Sequence, residues 1–173
     1  MKSANYVLAA ILSLLAVASC SPAPAPAPKA TCATTSENLS LREVVGYGTD
    51  VFVAKVIARE SSYDGMLGPV DIYRVEASNP LMGSANGPVR IGVPSVLIDG
   101  KPCRYGRLLP EVGQSYLFAA NYDKSRQIFL TDAHEGDMTA LTDADIAKIG
   151  TADEPTVVKD MREAVKSPIH PRI

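Results

Sequence analysis

The middle of the chain shows the alternation of apolar and polar positions that is typical of β-strands. Residues 51–58 are rich in β-branched side chains and apolar on both faces apart from Lys55, as expected of a strand buried on both sides. Residues 70–77 place Tyr73 and Val75 on one face and charged side chains on the other. The pattern predicts five or six short strands, drawn from the segments 51–58, 70–77, 89–93, 96–98, 115–121 and 126–131.

Glycine, proline and asparagine separate these strands. Loops are predicted at residues 61–69, at the Asn-Pro pair 79–80 and at residues 83–88. The Asp-Gly pair at 99–100 is a strong signal for a hairpin turn. The strands therefore follow one another through short connections.

Three short helical patterns flank the strands. In the first, residues 36–45, Ser40 and Glu43 have the spacing of a capping box, and Gly46 and Gly48 are predicted to end the helix. The other two helices are predicted at residues 142–149, capped by Thr142, and at residues 156–166, which have one apolar side. The order of elements predicts a mainly β fold, a small closed β-barrel with peripheral helices, and an open β-sandwich is the main alternative.

Residues 1–19 have the pattern of a secretion signal. Lys2 supplies a positive start, and residues 6–18 form an apolar run that is shorter than the roughly 20 residues needed to span a bilayer. The run ends in Val-Ala-Ser before Cys20, which resembles the bacterial lipobox. This resemblance implies cleavage before Cys20 and attachment of lipid to its thiol. A transmembrane helix, or a secretory cut after Ala18, are the alternatives, and neither accounts for the cysteine.

Residues 20–31 form the link between the lipid and the folded part of the chain. Proline alternates with alanine, so the segment can join neither a helix nor a sheet and is predicted to be an extended spacer. Two or more acyl chains on Cys20 would anchor the protein stably to a membrane. The chain is therefore predicted to lie on the extracytoplasmic face of the cell membrane, with one folded domain at 32–173.

Charge and composition exclude one class of partner. The chain carries 17 Lys+Arg and 19 Asp+Glu, a formal net charge of −2, and no basic block longer than two residues. A protein that grips nucleic acid needs clustered positive charge. Nucleic acid is therefore not a predicted partner.

Two further cysteines, Cys32 and Cys103, form an even pair in a compartment where thiols oxidise. A disulfide between them would close a loop of about 70 residues and stabilise the fold by roughly 4 kcal/mol. Two free thiols or a metal site are the alternatives, although thiolate metal sites usually show closer ligand spacing. The disulfide is the prediction.

The sequence offers little evidence for catalysis. His134 lies between acidic neighbours in residues 132–137, where it could bind a metal or act as a base, but Gly136 favours a solvated loop. His170 lies in a proline-flanked tail that is predicted to be disordered, and residues 83–87 lack the lysine and helix of a phosphate-binding loop. Most tyrosines are predicted to be core residues, and exposed ones to line a ligand surface. No enzyme activity, metal or cofactor is predicted.

Three segments carry a resemblance to a known family, and one of them, residues 73–76 (YRVE), looks like the second strand of that family. Cys32, a helix and then residues 50–56 (DVFVAKV) are similar to the opening of the netrin-like domains and of those of the tissue inhibitors of metalloproteinases. Cys103 followed by residues 111–119 (EVGQSYLFA) looks like a later segment of that family, and the cysteine spacing resembles its first bridge. Ala54 stands where the family usually has glycine.

This resemblance implies an OB-like barrel and, as one alternative function, inhibition of metalloproteases. The family's inhibitors present the free amino group of an N-terminal cysteine to the catalytic zinc. Here the matching residue is Cys32, which follows the spacer, so its nitrogen is an ordinary amide. The sequence therefore predicts a non-catalytic binding or scaffold module of the cell envelope, with an envelope protein or a small ligand as its partner.

Overall fold

A computed structural model describes most of the folded part of the chain. The described residues are 39–65, 68–98, 101–103, 109–132 and 136–170, and the side chains of 96–98 and 101–103 are not among the described atoms.

Several predictions from the sequence lie outside the described residues. These are the signal at 1–19, the lipid attachment at Cys20 with its spacer to residue 31, the thiol of Cys32 and the loop residue His134. Cys103 ends a short strand, but its side chain is not described. The Cys32–Cys103 disulfide therefore stays a prediction.

Three helices and eight strands are formed by the described residues. The helices are α1 (Leu41–Tyr47), α2 (Asp143–Ile146) and α3 (Thr156–Lys166). The strands are β1 (Asp50–Gly65), β2 (Gly68–Met82), β3 (Gly87–Pro94), β4 (Val96–Ile98), β5 (Lys101–Cys103), β6 (Ser115–Asp123), β7 (Ile128–Leu130) and β8 (Met138–Leu141). The predicted mainly β class is confirmed.

Five of the strands follow one another in a ring. The order is β1, β2, β3, β7 and β6, and β6 pairs back with β1. All of these neighbours are antiparallel except β3 and β7, which run parallel over two residue pairs that include Gly92 and Leu130. A Cβ atom on Gly92 would come within 2.6 Å of the Leu130 side chain, so glycine allows this close approach. Strand β8 extends the sheet from β6, and β4 with β5 forms a separate hairpin.

The inside of the ring is an apolar core. Phe52 lies at its centre, with ring centroids 5.9 Å from Phe118 and 5.2 Å from Phe129. The predicted face of residues 70–77 is confirmed, because Tyr73 and Val75 are buried in this core while their charged neighbours are exposed. The two-residue period of the strand places these side chains on one side.

The outer face of the ring is covered by two helices. Val51 and Val53 of β1 point away from the inner core and pack in a second apolar cluster with buried residues of α1 and α3. Strand β1 is therefore buried on both faces at residues 51–54, as predicted, whereas Ile57, predicted to be in the same buried strand, is 42% exposed. Ser40 caps α1 and Glu43 completes the predicted capping box, with the hydroxyl of Ser40 holding the pKa of Glu43 below its usual value.

The predicted loops at 61–69 and 79–80 are wrong. Strands β1 and β2 form a long hairpin in which Ser61 pairs with Ile72 and Gly65 with Gly68. The first half of β1 pairs with β6 as well as with β2, and its second half pairs with β2. Register irregularities in the β1–β2 pairing accompany this change of partners. The polar residues at the tip of this hairpin show no strand pattern in the sequence. They adopt strand structure because their backbones pair with the opposite strand.

Helix ends and the C-terminal tail also differ from the predictions. Gly46 lies inside α1 rather than ending it. The backbone at Ile169 packs directly on Gly46, which leaves no room there for a Cβ atom. The backbone N–H of Ile169 donates to the Arg42 carbonyl, and His170 Nδ1 lies 3.2 Å from the Gly46 carbonyl oxygen, so the tail is ordered to that point. Helix α2 is shorter than predicted, and β8 was not predicted at all.

Candidate functional site

An open cleft of about 570 Å³ lies at one end of the ring. Residues 84–86 and the first part of β3, with Arg90, form one wall. The hairpin between β6 and β7 forms the other wall through Tyr122, Gln127 and Phe129. Ligand sites of proteins commonly have volumes of roughly 300–1,000 Å³, so the cleft has the size of a small-ligand site.

Asp50 organises the first wall. Its carboxylate is buried, and its Oδ1 accepts the backbone N–H of Ser84 at 2.7 Å and of Ala85 at 3.3 Å. Gly83 turns the chain at a φ of +79°, and a Cβ there would lie 2.0 Å from the same oxygen. Only glycine fits this conformation beside the carboxylate. The loop is therefore folded around an internal negative charge.

Thr49 joins the two walls. Its hydroxyl donates to Asp50 Oδ2 at 2.8 Å and accepts the backbone N–H of Tyr122 at 3.0 Å. A hydroxyl group can donate one hydrogen bond and accept others, so Thr49 serves both partners at once. A continuous set of hydrogen bonds thus runs from the loop at Ser84, through Asp50 and Thr49, to the aromatic wall.

The second wall is held by Asp123 at the end of β6. Asp123 Oδ1 accepts the backbone N–H and the hydroxyl of Ser125, and its Oδ2 pairs with Arg126 at 2.9 Å. These hydrogen bonds, first that of the Ser125 side chain and then that of Arg126, lower the pKa of Asp123 to about 2. The Arg126 guanidinium also lies 5.1 Å from the ring centroid of Tyr63 on the long hairpin. The turn between β6 and β7 is therefore held by Asp123 and, through Arg126, contacts the long hairpin at Tyr63.

The surface of the cleft combines one exposed aromatic ring with uncharged polar groups. Tyr122 is 41% exposed, and its ring centroid is 4.9 Å from that of Phe129 beneath it. The side chains of Asn86 and Gln127 are exposed and make no hydrogen bond to another described residue. These groups can bind a ligand through stacking and hydrogen bonds.

The charged groups of the lining are already engaged. Arg90 Nε lies 3.2 Å from Oε2 of Glu60, and Asp50 accepts three hydrogen bonds from the surrounding protein. The backbone of Tyr122 belongs to the same network, through its N–H to Thr49.

A different polar group occupies the other end of the ring. Asp71 is buried on β2 and pairs through Oδ1 with Arg59, while its Oδ2 has no hydrogen-bond partner among the described residues. Burial, and then the negative charge of Asp71, raise the pKa of Tyr73 to about 12. Tyr73 thus stays protonated at physiological pH. Burial likewise raises the pKa of Tyr116, whose hydroxyl accepts the backbone N–H of Glu111.

The structure places the predicted site residues in different ways. Cys103 pairs with Val96 in the β4–β5 hairpin, whereas Cys20, Cys32 and His134 lie outside the described residues. Tyr122 is exposed and lines the cleft.

Sequence reasoning missed the parts that build the cleft. Thr49, Asp50, Arg90 and Gln127 have no motif around them that signals a site. The segment 83–87 was rejected as a phosphate loop, and its backbone N–H groups are in fact engaged by the Asp50 carboxylate. The closely spaced glycines of that segment were the one available signal of a special turn.

Two further features bear on the chemistry that the described residues can support. Their helices include none long and apolar enough to cross a bilayer. They also contain no group of three or more histidine, cysteine or carboxylate side chains arranged to hold a metal ion.

No known protein family matches the chain, and no curated protein matches its sequence.

Proposed function

We propose that this protein is a non-catalytic binding module of the cell envelope, anchored through lipid on Cys20 to the extracytoplasmic face of a membrane. The cleft is its binding surface. The observation that carries this proposal is the hydrogen-bonded link from Ser84 through Asp50 and Thr49 to Tyr122, which holds the two walls in one arrangement. A preformed cleft binds with less loss of conformational freedom than a mobile one.

The five-stranded ring supports a closed, OB-like barrel as the scaffold of this module. Each strand of the ring has a neighbour on both sides, and closure of this kind removes exposed sheet edges. The first and the last of the segments that resemble the netrin-like family are also partners in the fold. Residues 50–55 pair with residues 115–120, and the Val56 N–H donates to the Gln114 carbonyl.

The spacer supports the separation of this domain from the lipid. Residues 20–31 in an extended proline-rich conformation would span about 35 Å. Such a distance would keep the cleft accessible to partners in the envelope. Anchoring is tested by Cys20→Ala, which should release the protein from membranes or leave the precursor uncleaved. Retention of the variant in washed membranes at wild-type level would contradict the anchor.

The binding role is tested with a photo-crosslinking amino acid at position 84, whose side chain is exposed in the cleft. The same group at position 112, which is exposed on the turn before β6, is the control. In the full-length protein on intact cells, adducts should form from position 84 and not from position 112. They should persist in Thr49→Ser, which keeps the hydroxyl, and fall severalfold in Thr49→Val. Equal adducts at both positions, or no response to Thr49→Val, would argue against the cleft.

A further inference from the structure

The electrostatics of the cleft disfavour a strongly charged ligand. Arg90 and Asp50 are the ionised groups of its lining, one of each sign. Arg90 is paired with Glu60, and Asp50 is satisfied by backbone N–H groups and by Thr49. A charged ligand would lose hydration, and an anionic one would have to compete with Glu60 for the Arg90 guanidinium. A neutral ligand meets no such penalty.

Tyr122 provides a platform for a ring with an apolar face. Its ring packs against Phe129, and the residue is 41% exposed and lines the cleft. Tyrosine combines an apolar ring face with a polar hydroxyl at its tip. The C–H face of a pyranose ring is apolar while its hydroxyls lie at the rim, so a sugar matches both properties of this residue.

The amides of Asn86 and Gln127 provide the hydrogen bonds that a sugar requires. Each amide offers two donors and an acceptor, a set that suits adjacent hydroxyls acting as both donors and acceptors. They lie on opposite walls, one in the loop 84–86 and one at the turn before β7. Gln127 has a φ of +54°, a left-handed conformation that is uncommon for a residue other than glycine.

From these features we infer that the cleft binds a neutral oligosaccharide, with one pyranose stacked on Tyr122 and its hydroxyls bonded to Asn86 and Gln127. This inference rests on the proposed function, because it names the ligand class of the same cleft. A peptide is the other polymer of suitable size. Peptide sites rely on pockets for apolar side chains or on a long free strand edge. The exposed side chains of this lining are Ser84, Asn86, Pro88, Arg90, Tyr122 and Gln127, of which only Pro88 is wholly apolar.

The test uses the full-length lipoprotein in detergent micelles. Maltotriose, cellotriose and chitotriose are the neutral probes, trigalacturonate is the anionic comparison, and binding is followed by saturation-transfer NMR and calorimetry. At least one neutral trisaccharide should bind saturably and more tightly than trigalacturonate. Tyr122→Ala should weaken that binding about tenfold or more. Tyr47→Ala is the matched control, because Tyr47 is 39% exposed and lies on α1 rather than in the cleft.

A second variant separates loss of the ligand contact from loss of the fold. Gln127→Gly removes the amide but suits the left-handed conformation, so it should weaken binding severalfold while the circular dichroism spectrum and melting temperature stay unchanged. Tighter binding of trigalacturonate, absence of binding by all three neutral probes, or insensitivity to both cleft variants would overturn the inference. Crosslinking from position 84 that persists in those cases would leave the binding-module proposal standing, and its absence would remove both.

Discussion

The two ends of the ring each bury one aspartate, but they satisfy it in different ways. Asp50 accepts hydrogen bonds from two backbone N–H groups and a threonine hydroxyl. Asp71 relies on a single side chain, Arg59, which is 53% exposed, and its second oxygen has no hydrogen-bond partner among the described residues. The Asp50 carboxylate organises a loop, whereas the Asp71 carboxylate pairs with the half-exposed Arg59.

This difference determines what each aspartate contributes. Removing Asp50 would leave buried backbone donors without an acceptor, because Ala85 is itself buried. Removing Asp71 would leave Arg59, which water can reach and solvate. A buried carboxylate is therefore most costly to lose where its partners are fixed backbone groups, and cheapest where its partner is half in solvent.

Arg59→Met should give the largest effect at the Asp71 end. It leaves a buried carboxylate without its counter-charge, and the free energy of unfolding should fall by about 3 kcal/mol. Urea unfolding followed by circular dichroism measures this change. The double variant Arg59→Met/Asp71→Leu should recover most of the loss, since the buried charge is then gone. A double variant as unstable as Arg59→Met would show that the side chain of Arg59, rather than the stranded charge, matters.

Asp50→Ala should have the next largest effect. Loss of the acceptor for Ser84 and Ala85 should lower the free energy of unfolding by about 2 kcal/mol. Asp50→Asn is the matched control, because its amide oxygen can still accept both N–H groups. If the two variants are equally destabilised in urea titrations, negative charge, and not the acceptor position, holds the loop.

Asp71→Leu should change stability least among the three substitutions, by less than about 1 kcal/mol. The variant exchanges a half-satisfied buried carboxylate for an apolar side chain with the same branching, and replacing a buried ion pair by apolar side chains is often neutral. The same urea titration measures it beside Asp50→Ala. A loss larger than that of Asp50→Ala would reverse the contrast between the two ends.

Asp123 makes the weakest contribution, and it depends on pH. Its pKa is about 2 in the folded protein, against about 3.9 for an unperturbed aspartate. The stabilisation is therefore fully present above pH 4 and is lost as the pH falls from about 4 to about 2. The chemical shift of the Ser125 amide, followed by NMR, should change across this window as its hydrogen bond to Asp123 weakens. Asp123→Asn should remove this change. An unchanged titration in that variant would assign it to another group.

Much of the fold is predictable because it depends on neighbours in sequence. The faces of the strand at 70–77 and the capping box of Ser40 and Glu43 follow from spacings of two and three residues. Thr142 and Asp145 form a second capping box by the same local rule. The length of the β1–β2 hairpin was missed, because its outer residues are polar and adopt strand structure through pairing with each other.

By itself, then, the sequence determined the mainly β class, the faces of the strand at 70–77 and the helix caps at Ser40 and Thr142. The cleft was decided by tertiary structure alone. Asp50 meets the loop at Ser84 across 34 positions, and Thr49 meets Tyr122 across 73. Hydrogen bonds between such distant residues leave no periodic or local pattern, because the residues become neighbours only when the ring of strands closes and brings the start of β1 beside the end of β6.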